Sequence, residues 1–199
     1  MTGYVEDAGF VDLLRHGEAA GGSCFRGSRD DPLTALGWAQ LEAATADAAA
    51  GHWDAVLCSP ARRCAAFAEA LAIRLDLPVT VLPALRERDF GTWEGKRAAE
   101  LPPADLAAFW TDPAGFTPPG AEPLADFRGR VAAGWRQVLD APARRPLVVT
   151  HGGVVRAILG EVLGLADTAL LLLEVPHACR SRIRLPMAGG LPSLVAHGR

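Results

Sequence analysis

Apolar residues along the chain fall into two alternating patterns: short runs cut off by turn residues, and longer stretches in which they recur every three or four positions. The runs Phe10 to Leu14 and Asp54 to Cys58 read as buried strands, Val79 to Leu82 as a third short strand and Pro146 to Thr150 as a further strand. The recurrent stretches read as helices. One runs from Ala35 to Ala50 behind Thr34 as its N-cap. A second follows Ser59-Pro60, with Ser as cap and Pro at the first helical position, and carries Cys64, Phe67, Ala68, Leu71 and Leu75 on one stripe. A third spans Glu122 to about Leu139, with Leu124, Phe127, Val131, Trp135 and Val138 on one face. A fourth follows Gly153, buries Val155, Ile158, Leu159 and Val162, and stops at Gly164. Strands and helices in alternation predict a parallel sheet with right-handed crossovers. Beyond it, Leu170 to Val175 and Arg180 to Leu185 read as two strands joined by Pro176-His177-Ala178, hence antiparallel, and Ser193 to Ala196 as a last edge strand.

The rhythm breaks in the middle of the chain. Leu85 to Gly95 is an irregular loop, and Lys96 to Gly120 holds short helical pieces and the prolines Pro102, Pro103, Pro113, Pro118 and Pro119. This reads as a small helical cap, about residues 91–120, inserted into one domain spanning 1–199. Trp93, Phe109, Trp110 and Phe116 punctuate it, and packing into the cap's own core is the commoner use of such rings.

Composition narrows the class without naming the chemistry. With 50% hydrophobic and 22% charged residues the chain can build a full core. A net charge of −3 and the lack of any Lys or Arg run leave no footprint for nucleic acid or membrane. The four cysteines show no CxxC spacing and read as reduced, mostly buried thiols of a cytoplasmic protein. Met1 to Gly9 is polar and acidic rather than a signal peptide, and the longest apolar run, Ala169 to Leu173, is too short to span a bilayer.

Parallel strands end on one sheet edge, where ligands of open α/β sheets bind. The strand ends here carry Arg15-His16, Ser59 with Arg62 and Arg63, and His151. Crowded guanidinium groups repel unless an anion joins them, and their fork suits a phosphate or carboxylate. Helix amino termini after Ser59 and Gly152 add N–H groups. The implied partner is a small phosphorylated substrate. A neutral imidazole is a competent nucleophile; a second, protonated histidine and the arginines would stabilise the transferring group. Glu87, in Leu85-Arg86-Glu87-Arg88-Asp89-Phe90-Gly91, is the only acid at another candidate strand end, suited to donate a proton to the leaving oxygen and then to take one from water.

Four separated motifs appear in order: Leu14-Arg15-His16-Gly17-Glu18, Ser59-Pro60-Ala61-Arg62-Arg63, Leu85-Arg86-Glu87 through Phe90-Gly91-x-Trp93-Glu94-Gly95, and Thr150-His151-Gly152-Gly153. Over roughly residues 10–185 the chain resembles the histidine phosphatase superfamily, the branch that includes cofactor-dependent phosphoglycerate mutases. The resemblance implies a three-layer α/β sandwich with a mixed, mostly parallel sheet flanked by helices. It also implies a phosphohistidine at His16, phosphate held by Arg15, Arg63, His151 and Gly152, Glu87 as acid and base, and neither metal nor cofactor. Within the family the chain looks most like α-ribazole phosphatases, which remove a phosphate late in cobalamin synthesis. The pointers are Arg26-Gly27-Ser28-Arg29-Asp30-Asp31-Pro32-Leu33-Thr34, Gly37-Trp38-Ala39-Gln40, and Phe109-Trp110-x-Asp112-Pro113 through Phe116-Thr117-Pro118-Pro119. Mutases of the family carry longer insertions and a longer tail that exclude water, so a tail ending soon after the last strand favours hydrolysis. One departure stands out. Where the family often has Thr and then Asn behind the nucleophile motif, this chain has Ala19, Ala20 and Gly21-Gly22-Ser23; Ser23, Arg26 or loop N–H groups are the candidate replacements.

Blander readings stand beside these. Arg26 and Arg29 either contact substrate or belong to a solvated loop, Arg62 points to solvent, His177 lies in a turn that borders the site, Arg156 is a helix surface charge, and His52 and His197 are surface residues. Other small phosphate esters (a sugar phosphate or nucleotide), phosphoglycerate mutation, a non-catalytic phospho-ligand binder and a metallohydrolase using His16, His151 and a carboxylate are the alternatives; a homodimer stays open. The lack of a Gly-x4-Gly-Lys-Ser/Thr segment excludes a P-loop NTPase.

Overall fold

A computed structural model describes residues 9–48, 51–186 and 190–198. In chain order the elements are β1 (Phe10–Arg15), α1 (Ala35–Ala44), β2 (Ala55–Cys58), α2 (Arg62–Leu75), β3 (Val79–Val81), α3 (Pro103–Thr111), α4 (Leu124–Asp140), β4 (Pro146–Thr150), α5 (Gly152–Leu163), α6 (Asp167–Leu170), β5 (Arg180–Arg184) and β6 (Ser193–His197). The strands make one sheet in the order β3-β2-β4-β1-β5-β6. The first four are mutually parallel, while β5 runs antiparallel to β1 and β6 antiparallel to β5.

Side chains of a strand alternate between faces, and a sheet covered on both faces needs apolar residues at nearly every position. On β1, Val11 and Leu13 join one core with Phe127, Val131 and Trp135 of α4 and Val155 and Ile158 of α5. Leu14 joins the other with Leu41 of α1, Phe67 and Leu71 of α2, and Trp53. The result is three layers, helices–sheet–helices. Between β3 and α4 the chain leaves the sheet through short 3-10 turns at Pro83–Leu85, Gly91–Trp93 and Ala98–Glu100 and then α3. Trp93, Leu101 and Phe109 form a separate small core there, with Phe25, Phe90, Leu106 and Phe116 packed on it.

Three elements differ from the pattern-based expectation. Helix α1 ends at Ala44, with Thr45 as its C-cap and the Thr45 hydroxyl donating to the Leu41 carbonyl at 2.9 Å; the expected end at Ala50 lies outside the described residues. Helix α2 starts at Arg62, with Ala61 as a cap that makes no side-chain bond; Ser59 Oγ, two residues earlier, accepts from the Ala61 N–H at 3.3 Å and lies 2.7 Å from His151 Nε2. Leu170 to Val175 is no strand. Both edges of β5 are already taken by β1 and β6, so this run begins in α6 and continues as turns, with Leu170 and Val175 buried. The last edge strand is present as β6. His52 and His197 are half-buried rather than on the surface: Arg182 Nη2 donates to His52 Nε2 at 2.9 Å, and His197 Nδ1 lies 2.7 Å from Ser181 Oγ.

A charge sits inside the apolar alternation of β1. Asp12 is fully buried; its carboxylate accepts from Trp53 Nε1 at 2.9 Å and from Arg182 Nε and Nη2 at 2.8 and 2.7 Å. Truncating one side of such a pair leaves the other unmatched. Asp12→Ala is expected to lower the unfolding free energy by about 3 kcal/mol, read from the shift of the urea midpoint at constant slope.

Candidate active site

The register of the central strands brings the histidines together. Arg15 is paired with Thr150 across β1 and β4, and His16 N–H donates to the Thr150 carbonyl at 2.9 Å. The next residue on each strand is therefore a histidine at the same sheet edge, and the His16 and His151 ring centroids lie 5.3 Å apart. Ser59, at the end of β2, completes the row: its Oγ sits 2.7 Å from His151 Nε2. The turn after His16 is clamped onto α1. A Cβ on Gly17 would lie 2.1 Å from the Gly37 carbonyl oxygen, so only glycine fits this approach. Thr34 Oγ1 caps α1 by accepting from Gly37 N–H at 3.0 Å and donates to Glu18 Oε1 at 2.8 Å.

Hydrogen bonding fixes the tautomer of His16. Its Nδ1 is 2.7 Å from the Gly17 carbonyl oxygen; a carbonyl only accepts, so Nδ1 carries the proton and Nε2 keeps a lone pair. Burial pushes the His16 pKa well below its ordinary value, and Arg63, Arg15 and His177 push it further, against the opposing Gly17 bond. His151 is fully buried; burial, then Arg63, His16 and Arg15, likewise hold its pKa well below the imidazole range. Burial and the arginines thus disfavour the charged form of both rings, so a protonated second histidine calls for an anion alongside.

The arginines are held by backbone carbonyls. Arg63 is fully buried and donates from Nη1 to Arg29 O at 2.6 Å and from Nη2 to Gly27 O at 3.0 Å. Arg15 Nη1 donates to Val175 O at 2.5 Å, and burial lowers the Arg15 pKa, with Glu87 opposing. The Nε atoms of both arginines are buried and, among the described residues, have no hydrogen-bond partner. Unpaired buried donors are uncommon, and two of them on cations beside two neutral imidazoles define an anion site. Glu87 closes it: Oε2 accepts from Gly153 N–H and Oε1 from Arg88 N–H, each at 2.9 Å. A Cβ at position 153 would lie 2.3 Å from Glu87 Oε1.

A cavity of about 340 Å³ opens here. Arg15, His16, Glu87, Gly152 and Gly153 line it, together with Arg26 and a set of rings that includes Phe25, Phe90, Phe109 and Trp110. Arg63 and His151 stand behind that lining, buried. His177 is exposed, with its ring centroid 5.8 Å from that of His16. Ser23 is exposed and outside the lining. Arg26 lines the cavity but is largely committed to its own loop, bonding Asp31 at 2.8 Å and the Ala20 and Gly22 carbonyls at 2.7 and 3.0 Å. The Arg29 side chain pairs with Asp31 rather than turning inward, and these bonds, Arg29 first, hold the Asp31 carboxyl at about 2. Arg62 is exposed. Trp93 and Phe116 belong to the small core, as expected of rings in this segment; Phe109 belongs to it and also lines the cavity, and Trp110 lines the cavity from outside that core.

Sequence reasoning missed Arg88 and Phe25 and set Arg156 aside as a surface charge; all three line the cavity. Arg156 lies four residues after Gly152, one helical turn, which was a usable signal. Phe25 carried none, because it reaches the cavity from an irregular loop. Among the described residues no group of three or more His, Cys, Asp or Glu side chains is placed to hold a metal ion, and no helix is long and apolar enough to cross a membrane.

A sheet-edge anion cup with paired histidines, clamped arginines and one carboxylate is the site of a phosphoryl-transfer protein. The sequence pattern of the histidine phosphatase superfamily (branch 1) matches residues 11–196, and the chain belongs to that superfamily. It is 30% identical over 177 residues to the uncharacterized phosphatase PhoE of Bacillus subtilis (strain 168), covering 87% of this chain and 86% of that one. It is 30% identical over 178 residues to the adenosylcobalamin/alpha-ribazole phosphatase of Salmonella typhimurium, covering 86% and 88%. The chain spans about half of the longer bifunctional protein Rv2228c of Mycobacterium tuberculosis, 34% identical over 48% of its length. The crystal structure of the alpha-ribazole phosphatase from Shigella flexneri superposes with a TM-score of 0.82 at 25% identity, over 96% of each chain. These likenesses support a phosphatase activity.

Gly153→Ala is expected to push Glu87 off the amino end of α5 and to lower phosphatase kcat by tenfold or more, with the circular dichroism spectrum unchanged; full activity would mean that the carboxylate position is immaterial.

Proposed function

We propose that the protein hydrolyses phosphomonoesters through a phosphohistidine on His16, with Glu87 as general acid and then base, and without metal or cofactor. The observation that carries the reading is the His16 Nδ1 bond to Gly17 O at 2.7 Å, which leaves a neutral Nε2 inside a cup of guanidinium groups. Arg15, Arg63, His151 and the Gly152 N–H bind the phosphate oxygens. His16 Nε2 attacks phosphorus as the P–O bond to the alcohol breaks, and the acid form of Glu87, acting as general acid, gives its proton to the departing oxygen. Water then gives a proton to the Glu87 carboxylate while its oxygen attacks phosphorus, the P–N bond breaks, and inorganic phosphate leaves. The dianion supplies the charge that lets His151 become a cation, and preorganised donors then meet the charge developing on the equatorial oxygens. Arg26, which lines the cavity, replaces the family's missing Asn better than the outlying Ser23 does.

The substrate we assign is α-ribazole 5'-phosphate. The likeness to α-ribazole phosphatases of Salmonella and Shigella supports it, as does a ring-lined cavity suited to a flat nucleoside. A broader phosphatase acting on several small esters is the second reading, favoured by the equal likeness to PhoE. A mere phospho-ligand binder would have no use for a tautomer-fixed imidazole beside a placed carboxylate. The buried free thiols of Cys58, Cys64 and Cys179 suit a reducing, cytoplasmic setting.

A panel of esters compared by kcat/KM, with and without chelator, tests both levels of the assignment. The expected order is α-ribazole 5'-phosphate at least tenfold above nucleotides, sugar phosphates and 3-phosphoglycerate, with no loss to chelator. A flat profile returns the broader reading, and chelator-sensitive turnover overturns the metal-free mechanism. Glu87→Gln in the same panel should slow esters of poor leaving groups far more than p-nitrophenyl phosphate; equal losses would remove Glu87 as the proton donor.

A further inference from the structure

The Arg88 side chain does nothing in the mechanism above, yet it is built into the cavity wall. It is only 4% exposed and lines the cavity. Its Nε donates to the Glu122 carbonyl at 2.7 Å, pinning the loop to the start of α4. Among the described residues its buried Nη2 has no partner, and Nε makes the only side-chain hydrogen bond of Arg88. One N–H suffices for the pin. A guanidinium brings two further nitrogens and a charge into a desolvated place, where burial lowers the Arg88 pKa against the pull of Glu122 and Glu87. Such a group is costly to bury unless something accepts from it.

The surroundings say what kind of guest that is. Arg88 Cζ lies 5.8 Å from the Phe109 ring centroid. Phe109 meets Trp110 edge-on at 4.9 Å and Phe25 at 5.8 Å, and Phe25, Phe90, Trp110 and Phe127 line the same cavity. The phosphate end of a substrate is fixed by Arg15 and His16, so its alcohol part must lie among these rings. Trp110 is 52% exposed, a large ring left uncovered at the rim. About 340 Å³ is room for a two-ring body.

The geometry points to Arg88 as a specificity-determining residue: it donates from the ring-lined wall to a hydrogen-bond acceptor on a flat, apolar alcohol group of the substrate. This rests on the phosphatase reading of the site and deepens it, because it names the class of ester rather than one compound. The acceptor is a ring nitrogen, a carbonyl or a carboxylate; the shared chemistry is a lone pair on an otherwise apolar plate. A site that must bind a hydrogen-bonding group discriminates sharply against the analogue without it.

The test uses matched esters: 2-naphthyl phosphate, quinolinyl phosphates with the ring nitrogen at different positions, and 6-carboxy-2-naphthyl phosphate. For wild type, at least one acceptor-bearing ester should exceed 2-naphthyl phosphate by about tenfold or more in kcat/KM. In Arg88→Met that ratio should fall by about tenfold, mostly through KM, and Arg88→Gln, which keeps N–H donors, should recover part of it. Comparing variant with wild type cancels leaving-group chemistry, and the neutral and carboxylate arms tell the two kinds of acceptor apart. A ratio that is the same in wild type and Arg88→Met makes Arg88 a structural pin and overturns the proposal. So does a wild-type enzyme that turns over 2-naphthyl phosphate as well as every acceptor-bearing ester, a reading that needs no variant to fold. A wild-type protein that hydrolyses none of them overturns the phosphatase reading itself, a distinct result.

Discussion

The in-register parallel pairing of β1 with β4 is the constraint on which the site depends. It joins segments more than 130 residues apart, with Leu13, Leu14 and Arg15 opposite Val148, Val149 and Thr150. Because side chains alternate along a strand, a slip of one residue would turn every core side chain to the wrong face. The two apolar cores forbid that slip: Leu13 and Val148 lie in one and Leu14 and Val149 in the other. The burial that stabilises the sheet thereby also fixes the distance between His16 and His151. Fold and chemistry are two readings of one register.

Electrostatics then turns proximity into reactivity. Gathering Arg15, Arg63, His16 and His151 at one edge would be self-defeating if all were charged. Burial and the arginines keep both imidazoles neutral, so the cup carries its positive charge on groups that do not deprotonate and its lone pairs on groups that can attack. Backbone carbonyls of Gly27, Arg29 and Val175 hold the guanidinium groups without cancelling them. Glu87 is tied to backbone N–H groups of Arg88 and Gly153 rather than to an arginine, which keeps its carboxylate available. Preorganisation of this kind stabilises a transferring phosphoryl group without rearrangement at the moment of reaction.

Much of this was legible in the sequence, for a physical reason. Apolar runs ended by His-Gly turns at residues 16 and 151 mark strands of one parallel sheet, and parallel strands deliver their ends to one edge; that β1 and β4 are neighbours is seen only in the structure. The Thr34 cap was readable because capping is local. Ser59 does accept from the Ala61 N–H ahead of α2, as a local reading suggests, but its second bond, to His151 92 residues away, is invisible to local rules. Leu170 to Val175 looked like a strand because an apolar run does not reveal whether a sheet edge is left to receive it. Residue type left Arg29 open between substrate contact and a solvated loop, whereas its carbonyl, not its side chain, serves the site by holding Arg63. Backbone roles of that kind leave no trace in residue type. Arg88 and Phe25 were lost for a related reason: both reach the cavity from irregular chain, where periodicity says nothing about direction.

The central claim is that His16 attacks through the nitrogen its Gly17 bond leaves unprotonated. The most direct measurement is phosphorus NMR, with peptide mapping, of protein quenched with alkali during turnover. The account predicts an acid-labile, base-stable phosphate on Nε2 of His16, gone in His16→Ala. Phosphate on Nδ1 of His16, on His151, or on no histidine during rapid turnover would contradict it.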